Sequence, residues 1–268
     1  MFKIGAIGAG HMGITILETI ITLELAKPSD ILVYELDHKR RQQVKSKGFV
    51  TAGNESEVYA NAQLVMLAVP PQACDALFNK LASSAQRQDN KPVIISIMSG
   101  ISSSYMRKYL GPDTAVITIM PTLGMKVGHG ATAIAHTDNV PADVLTTVMN
   151  IFSATGEIMI VEEPLLKEIV AINGCMPGYA FYLIDAFARW GEFQGIDYRM
   201  AVRMAARGFA GAAALALEDV DLKELLNQVC TPGGLTAEGV AFFEEGNLPE
   251  ILAEGMENTI RRGYELAK

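Results

Sequence analysis

The chain has 268 residues, half of them apolar and 19% charged, which is enough for two compact domains with their own cores and excludes a disordered chain. A formal net charge of -8, with no basic block and no interleaving of basic and aromatic residues, excludes a nucleic-acid surface. Cys74, Cys175 and Cys230 lie far apart, as suits reduced thiols in the cytoplasm, and His11, His38, His129 and His136 lack ligand spacing, so no metal site is expected.

Glycine and glutamate interrupt the first apolar segment, and no run of about 18 uncharged apolar residues follows, so neither a signal peptide nor a membrane span is expected. Phe2 to Gly8 reads as a short strand, broken by Gly8-Ala9-Gly10-His11-Met12-Gly13 before an apolar run resumes at Ile14 and continues to Ala26. Pro28 ends that run. Ile31 to Glu35 reads as a second strand, which gives strand, Gly-rich turn, helix, strand. In that context Gly8 permits the tight turn, Gly10 lets the backbone approach a pyrophosphate, and Gly13 lets the helix pack closely on the sheet. The first N–H groups of the helix then face the anion. A bare GxGxxG also fits an ordinary turn, but here it follows a strand, opens a helix and precedes an acidic strand end. Glu35 can accept from both adenosine ribose hydroxyls and would repel a 2'-phosphate, which favours NADH. Lys39, Arg40 and Arg41 just beyond either serve such a phosphate, as NADPH requires, or solvate a helix face.

Asp37 caps an expected helix from Lys39 to Lys47, Phe49-Val50 reads as a brief strand, and Asn54 to Ala60 as a short helix. Leu64 to Val69 is a continuous apolar run closed by Pro70-Pro71, as a parallel strand buried on both faces would be. Helix Gln72 to Ser83, strand Pro92 to Met98, helix Ser102 to Leu110 and strand Ala115 to Met120 follow. After a loop to Gly130, strands Ala131 to Ala135 and Glu157 to Val161 flank helix Pro141 to Phe152. This alternation predicts a doubly wound parallel sheet over residues 1-161, with its ligand beyond the C-terminal strand ends. Those ends include Val69-Pro70, Ser99-Gly100 and Met120-Pro121.

From Glu163 no strand-like run appears, and residues 162-268 read as an all-helical second domain. Pro164 to about Gly191 reads as one helical stretch, although Gly174, Pro177 and Gly178 inside it imply a kink or a close backbone approach. Asp197 caps a helix Met200 to Leu217, rich in alanine and glycine; Leu222 to Val229, Ala237 to Glu245 and Pro249 to Leu266 are helices too. Long apolar stripes in such a domain would expose hydrocarbon if it stood alone, so a homodimer is expected.

Thr231-Pro232-Gly233-Gly234-Leu235-Thr236 interrupts these helices. Its unshielded amides before a helix start suit a carboxylate, and a Pro-Gly-Gly turn capped by threonine explains the same residues. Gly8-x-Gly10-x-Met12-Gly13, Ser99-Gly100-Ile101-Ser102, Met120-Pro121, Asn173-Gly174-Cys175-Met176-Pro177-Gly178-Tyr179 and Val229 to Thr236 together resemble the motifs of pyrroline-5-carboxylate reductases over nearly the full length. The resemblance implies a Rossmann-type nicotinamide-binding domain followed by a helical domain interleaved with that of a second subunit, and it permits a higher assembly of dimers. It implies reduction of 1-pyrroline-5-carboxylate to proline with NADH or NADPH, the last step of proline biosynthesis. Gly8, Gly10, His11, Met12, Gly13, Glu35, Val69, Pro70, Ser99, Gly100, Met120 and Pro121 would hold the cofactor. Thr236 would bind the ring nitrogen, the amides of Gly233, Gly234 and Leu235 its carboxylate, and Gly174 and Pro177 would form another wall.

The chain departs from that pattern at Pro70, where the family has lysine, at Thr122-Leu123-Gly124 for Asn-Thr-Pro, at Cys175-Met176 for a Ser-Gly pair, and at Cys230 and Leu235 for hydroxyl residues. These changes point to a divergent member. An imine reductase for another cyclic imino acid and a non-catalytic nucleotide-sensing dimer are the alternatives. So is a β-hydroxyacid dehydrogenase, but Lys167 is followed one turn later by Ala171 rather than the asparagine such enzymes use.

Overall fold

The structure, a computed structural model, describes residues 2–86, 91–218 and 220–267. Strand β1 (Phe2–Ile7), helix α1 (His11–Thr22) and β2 (Ile31–Tyr34) open the chain, followed by α2 (His38–Ser46), β3 (Val50–Thr51), α3 (Glu55–Asn61) and β4 (Ala62–Leu67). Then come α4 (Cys74–Gln86), β5 (Val93–Ser96), α5 (Ser103–Leu110), β6 (Val116–Met120), β7 (Gly130–His136), α6 (Ala142–Ser153) and β8 (Gly156–Ile160). Short polar side chains set the helix starts: Asp37 accepts from Arg40 N, Asn54 from Glu57 N and Ser102 from Tyr105 N. Such a cap contributes about 1 kcal/mol.

The strands form one sheet in the order β3-β2-β1-β4-β5-β6-β7-β8. Ile4, Ala6, Leu64 and Met66 join a core with Ile16, Leu17 and Phe152 on one face; Ile7, Val65 and Leu67 join Val58, Phe78 and Leu81 on the other. Alternate residues of a strand point to opposite faces, so a strand covered on both sides must be apolar, as β4 is from Leu64 to Leu67. One part of the expected all-parallel sheet is corrected: β7 runs antiparallel to β6, with Ile117 opposite His136 and Met120 opposite Ala133, while β8 is again parallel to β7. The connection from Pro121 to His129 holds only a 3-10 turn over Leu123–Val127, too little for the crossover that a parallel pair needs.

The rest is helical: α7 (Leu166–Ile172), α8 (Met176–Phe193), α9 (Tyr198–Ala216), α10 (Leu222–Val229), α11 (Leu235–Glu245) and α12 (Leu248–Leu266). The stretch expected as one helix breaks at Asn173–Cys175, and Pro177 falls in the first turn of α8, where its missing N–H costs little. By length and composition Glu163–Phe193 is nevertheless apolar enough to cross a membrane, with mean hydropathy 1.2. Its uncharged part runs only from Ile169 to Ile184, short of about 18 residues and broken at Asn173–Cys175, as the sequence led one to expect. The chain divides into two compact units, Met1–Cys175 with Thr259–Lys268, and Met176–Asn258. Helix α7 belongs with the sheet because Leu166 packs on Ala133 and Ala135. In the second unit only Ala188, Gly191 and Ala201 are buried among the described residues, while Trp190, Phe193, Leu217 and Phe242 stand exposed.

Candidate active site

Two adjoining hollows open at strand ends of the first unit. The larger, about 870 Å³, is lined by Gly8, Gly10, His11, Met12, Gly13, Glu35, Arg40, Val69 and Pro70. The smaller, about 390 Å³, is lined by Ser99, Gly100, Met120, Pro121 and Gly174, together with Glu163, Lys167 and Cys175. Met12 and Ile97 line both, so a ligand laid along the first reaches the second. These two hollows bring together every residue that the sequence nominates for the cofactor, and Gly174 with them.

The Gly-rich turn is built by close approach. Gly8 has φ +96°, and a Cβ there would collide with the Ala68 carbonyl; a Cβ on Gly13 would sit 2.9 Å from the Gly8 carbonyl oxygen. Gly10 faces open space, its nearest neighbour being Arg40 Nη1, 3.9 Å from where a Cβ would stand. It precedes α1 with no side-chain cap, so the first N–H groups of that helix remain available to an anion. A cradle of bare amides beside a guanidinium fits a pyrophosphate.

Glu35 is buried and does more than the sequence reveals. One carboxylate oxygen accepts the Ala9 N–H at 2.6 Å and the other the Asp37 N–H at 2.9 Å, while its carbonyl accepts from Arg41 Nε at 2.9 Å. The carboxylate thus ties the Gly-rich turn to the end of β2, and a ribose hydroxyl would use its remaining lone pairs. Beside it, the backbone N–H of Arg40 holds the Asp37 carboxyl below its ordinary range. The Glu55 carboxylate, at 2.7 Å, holds the Lys80 ammonium above its own.

Sequence reasoning missed Glu163. It accepts the backbone N–H and the hydroxyl of Ser103, both at 2.6 Å, and the Thr118 hydroxyl at 3.2 Å. A carboxylate at the first turn of α5 is favoured by the helix dipole and fixes the entry to α7 against the sheet. The buried Asn173 donates its amide to the Met120 carbonyl at 3.1 Å, which anchors the break before α8 to the end of β6. Thr122, at the position of the family's asparagine, does not line either hollow; its hydroxyl accepts the Ala131 N–H at 2.9 Å and braces the turn into β7.

Pro177, Gly233, Gly234, Leu235 and Thr236 lie in the second unit. Gly233 adopts φ +70° and Gly234 caps α11 without a side-chain bond. One of the expected cradle amides is already committed, since Gly234 N–H donates to the Thr231 carbonyl at 2.8 Å. The N–H groups of Gly233 and Leu235 have no partner among the described residues. Thr236, expected also as a capping residue, instead sits inside the first turn of α11, exposed and with no side-chain hydrogen bond among the described residues.

Residues 163–266 match the pyrroline-5-carboxylate reductase dimerisation family, and residues 3–100 match a family described as NADP oxidoreductase, coenzyme F420-dependent. The pyrroline-5-carboxylate reductase of Synechocystis sp. is 32% identical over 268 residues, covering 99% of this chain and 98% of its own. The solved structure of a pyrroline-5-carboxylate reductase from Coxiella burnetii superposes with a TM-score of 0.86 at 26% identity, over 100% of this chain and 99% of that one. The Plasmodium falciparum pyrroline carboxylate reductase, solved with NADP bound, shares the fold with a TM-score of 0.88 at 20% identity, over 100% of this chain and 98% of its own. With near-complete coverage in both directions, the chain belongs to the pyrroline-5-carboxylate reductase family, as a divergent member.

Proposed function

We propose that the protein reduces 1-pyrroline-5-carboxylate to proline, using a dinucleotide seated along the larger hollow and a cyclic imine held over the smaller. The observation that carries this reading is the continuity of the two hollows through Met12 and Ile97, in a chain of this family. A bound nicotinamide supplies the hydride. The residues of the chain need only bind, align and exclude water, because a cyclic imine is readily protonated and its carbon then accepts hydride without a strong general acid. Ser99-Gly100 and Met120-Pro121 bound the space where donor and acceptor must approach to roughly 3 to 3.5 Å. The free amides of Gly233 and Leu235, at the uncapped start of α11, suit the ring carboxylate, and Thr236 suits the ring nitrogen.

Glu35 favours NADH, and Arg40 in the same hollow is the group that NADPH would use. The dimerisation segment supports a homodimer, and higher assemblies of dimers are compatible with it. A cytoplasmic location accords with the unpaired cysteines. Turnover of 1-pyrroline-5-carboxylate with each cofactor tests the reading. Thr236→Ala should lower kcat/KM by about 10- to 100-fold, the loss expected for about 1.4 to 2.8 kcal/mol of transition-state binding, with NADH affinity unchanged. An unaltered kcat/KM would remove Thr236 from the site.

A further inference from the structure

Among the residues lining the smaller hollow Lys167 is the only cation. It is half-buried on α7, two turns' reach from the Asn173 break, and forms no ion pair among the described residues. Its ammonium stands 5.2 Å from the centroid of the Tyr264 ring, whose hydroxyl donates to Glu168. An aromatic face holds a cation without neutralising it, so the charge is positioned but still open to an anion. The two other ionisable groups of the lining form no ion pair with it among the described residues: Glu163 accepts from Ser103 and Thr118, and Cys175 is a free thiol. The remaining lining is largely apolar, with Leu166, Val170, Ile119 and Met12 around it, and a low-dielectric wall strengthens whatever the ammonium attracts or repels.

We infer that Lys167 sets the charge specificity of the pocket, by favouring a cyclic imine that carries a carboxylate over one that does not. This rests on the 1-pyrroline-5-carboxylate reduction proposed above. The reasoning is electrostatic: a protonated imine alone would be repelled by a nearby ammonium, whereas an imino acid brings a negative charge that offsets its own iminium. Lys167 is therefore a specificity residue for the anionic substrate class.

The test compares wild-type protein with Lys167→Gln, Lys167→Met and Lys167→Arg, using two probes: 1-pyrroline-5-carboxylate, and 1-pyrroline, which has the same ring and imine without the carboxylate. Loss of the charge should lower kcat/KM for the carboxylated probe by at least tenfold, mainly through KM. The arginine variant should retain most of the wild-type KM, and use of 1-pyrroline should change less than twofold or improve. Equal losses on both probes would show a merely structural role and overturn the inference. So would a glutamine variant whose KM for the carboxylated probe matches that of the arginine variant, a comparison that stands even if the wild type ignores 1-pyrroline. NADH binding by each variant identifies any that misfolds, and glutamine and methionine serve as replacements for each other. A wild-type protein that binds NADH but reduces neither probe would overturn the function proposed above, and this inference with it.

Discussion

Glu35→Gln is the sharpest probe of how the cofactor loop is held. The two side chains are nearly isosteric, but an amide has one oxygen where the carboxylate has two, and the two oxygens of Glu35 face two backbone donors, Ala9 N at 2.6 Å and Asp37 N at 2.9 Å. Whichever way the glutamine turns, its NH2 group confronts one of those N–H groups, so one charge-assisted bond is lost and a donor is left facing a donor. Such a bond contributes about 1.5 to 3 kcal/mol, and the site is buried, so a cost of about 2 to 4 kcal/mol is expected for the cofactor-free protein. Thermal unfolding without ligand should show a lower Tm, and titration with NADH a weaker Kd, because the Ala9 end of the Gly-rich turn is released. The same substitution removes a negative charge that, at about 5 Å and an effective dielectric near 20, would oppose each unit of phosphate charge by about 3 kcal/mol. The ratio of NADPH to NADH affinity should therefore rise even as NADH binding falls. A glutamine variant with wild-type Tm, wild-type NADH affinity and an unchanged cofactor ratio would refute both roles assigned to Glu35.

Gly8→Ala should weaken NADH binding at least tenfold and lower Tm, since φ +96° strains any side-chain-bearing residue and the new methyl collides with the Ala68 carbonyl; isothermal titration and a melting curve check this. Tyr59→Phe should stabilise the protein by about 1 kcal/mol at pH 8, because the buried Tyr59 hydroxyl has no partner among the described residues and its removal leaves no large cavity. Burial pushes the Tyr59 hydroxyl up to about 12 from 10.0, so its neutral form is the native one. Its contribution is fully present below pH 10 and is lost as pH rises towards 12, because the unfolded phenol ionises first. Urea midpoints between pH 8 and 11 should fall more steeply for the wild type than for the phenylalanine variant, and parallel curves would count against the assignment.

Much of this was readable from residues that act on their chain neighbours. The opening strand, turn and helix follow from the spacing of Gly8, Gly10 and Gly13 against apolar runs, and Asp37, Asn54, Ser102 and Asp197 mark helix starts from within three residues. What sequence hid depends on distant partners. Whether β7 runs with or against β6 leaves no trace in the alternation of apolar residues, since either direction buries the same side chains. Glu163 looks like a solvated acid before a helix because its donors, Ser103 and Thr118, lie some 45 to 60 positions upstream. The strand-end position of Glu35 nominates it for the ribose, but its grip on Ala9 N spans 26 positions and could not be inferred. The commitment of Gly234 N–H to Thr231 was hidden for the opposite reason: the contact is local, but the turn conformation that makes it depends on φ at Gly233.

The second compact unit buries almost nothing by itself, and this has an evolutionary side. In a two-fold homodimer one gene writes both halves of the contact, so a codon change under any side chain that the partner covers appears twice in the same assembly. A substitution tolerable on an ordinary surface is thereby counted double, and a compensating change must suit both copies at once. Residues such as Trp190, Phe193 and Phe242 look, in one chain, like exposed positions free to drift. Where they meet a second copy they are held under the tighter selection of an interior, and tolerance scores assigned from the isolated subunit would misjudge them.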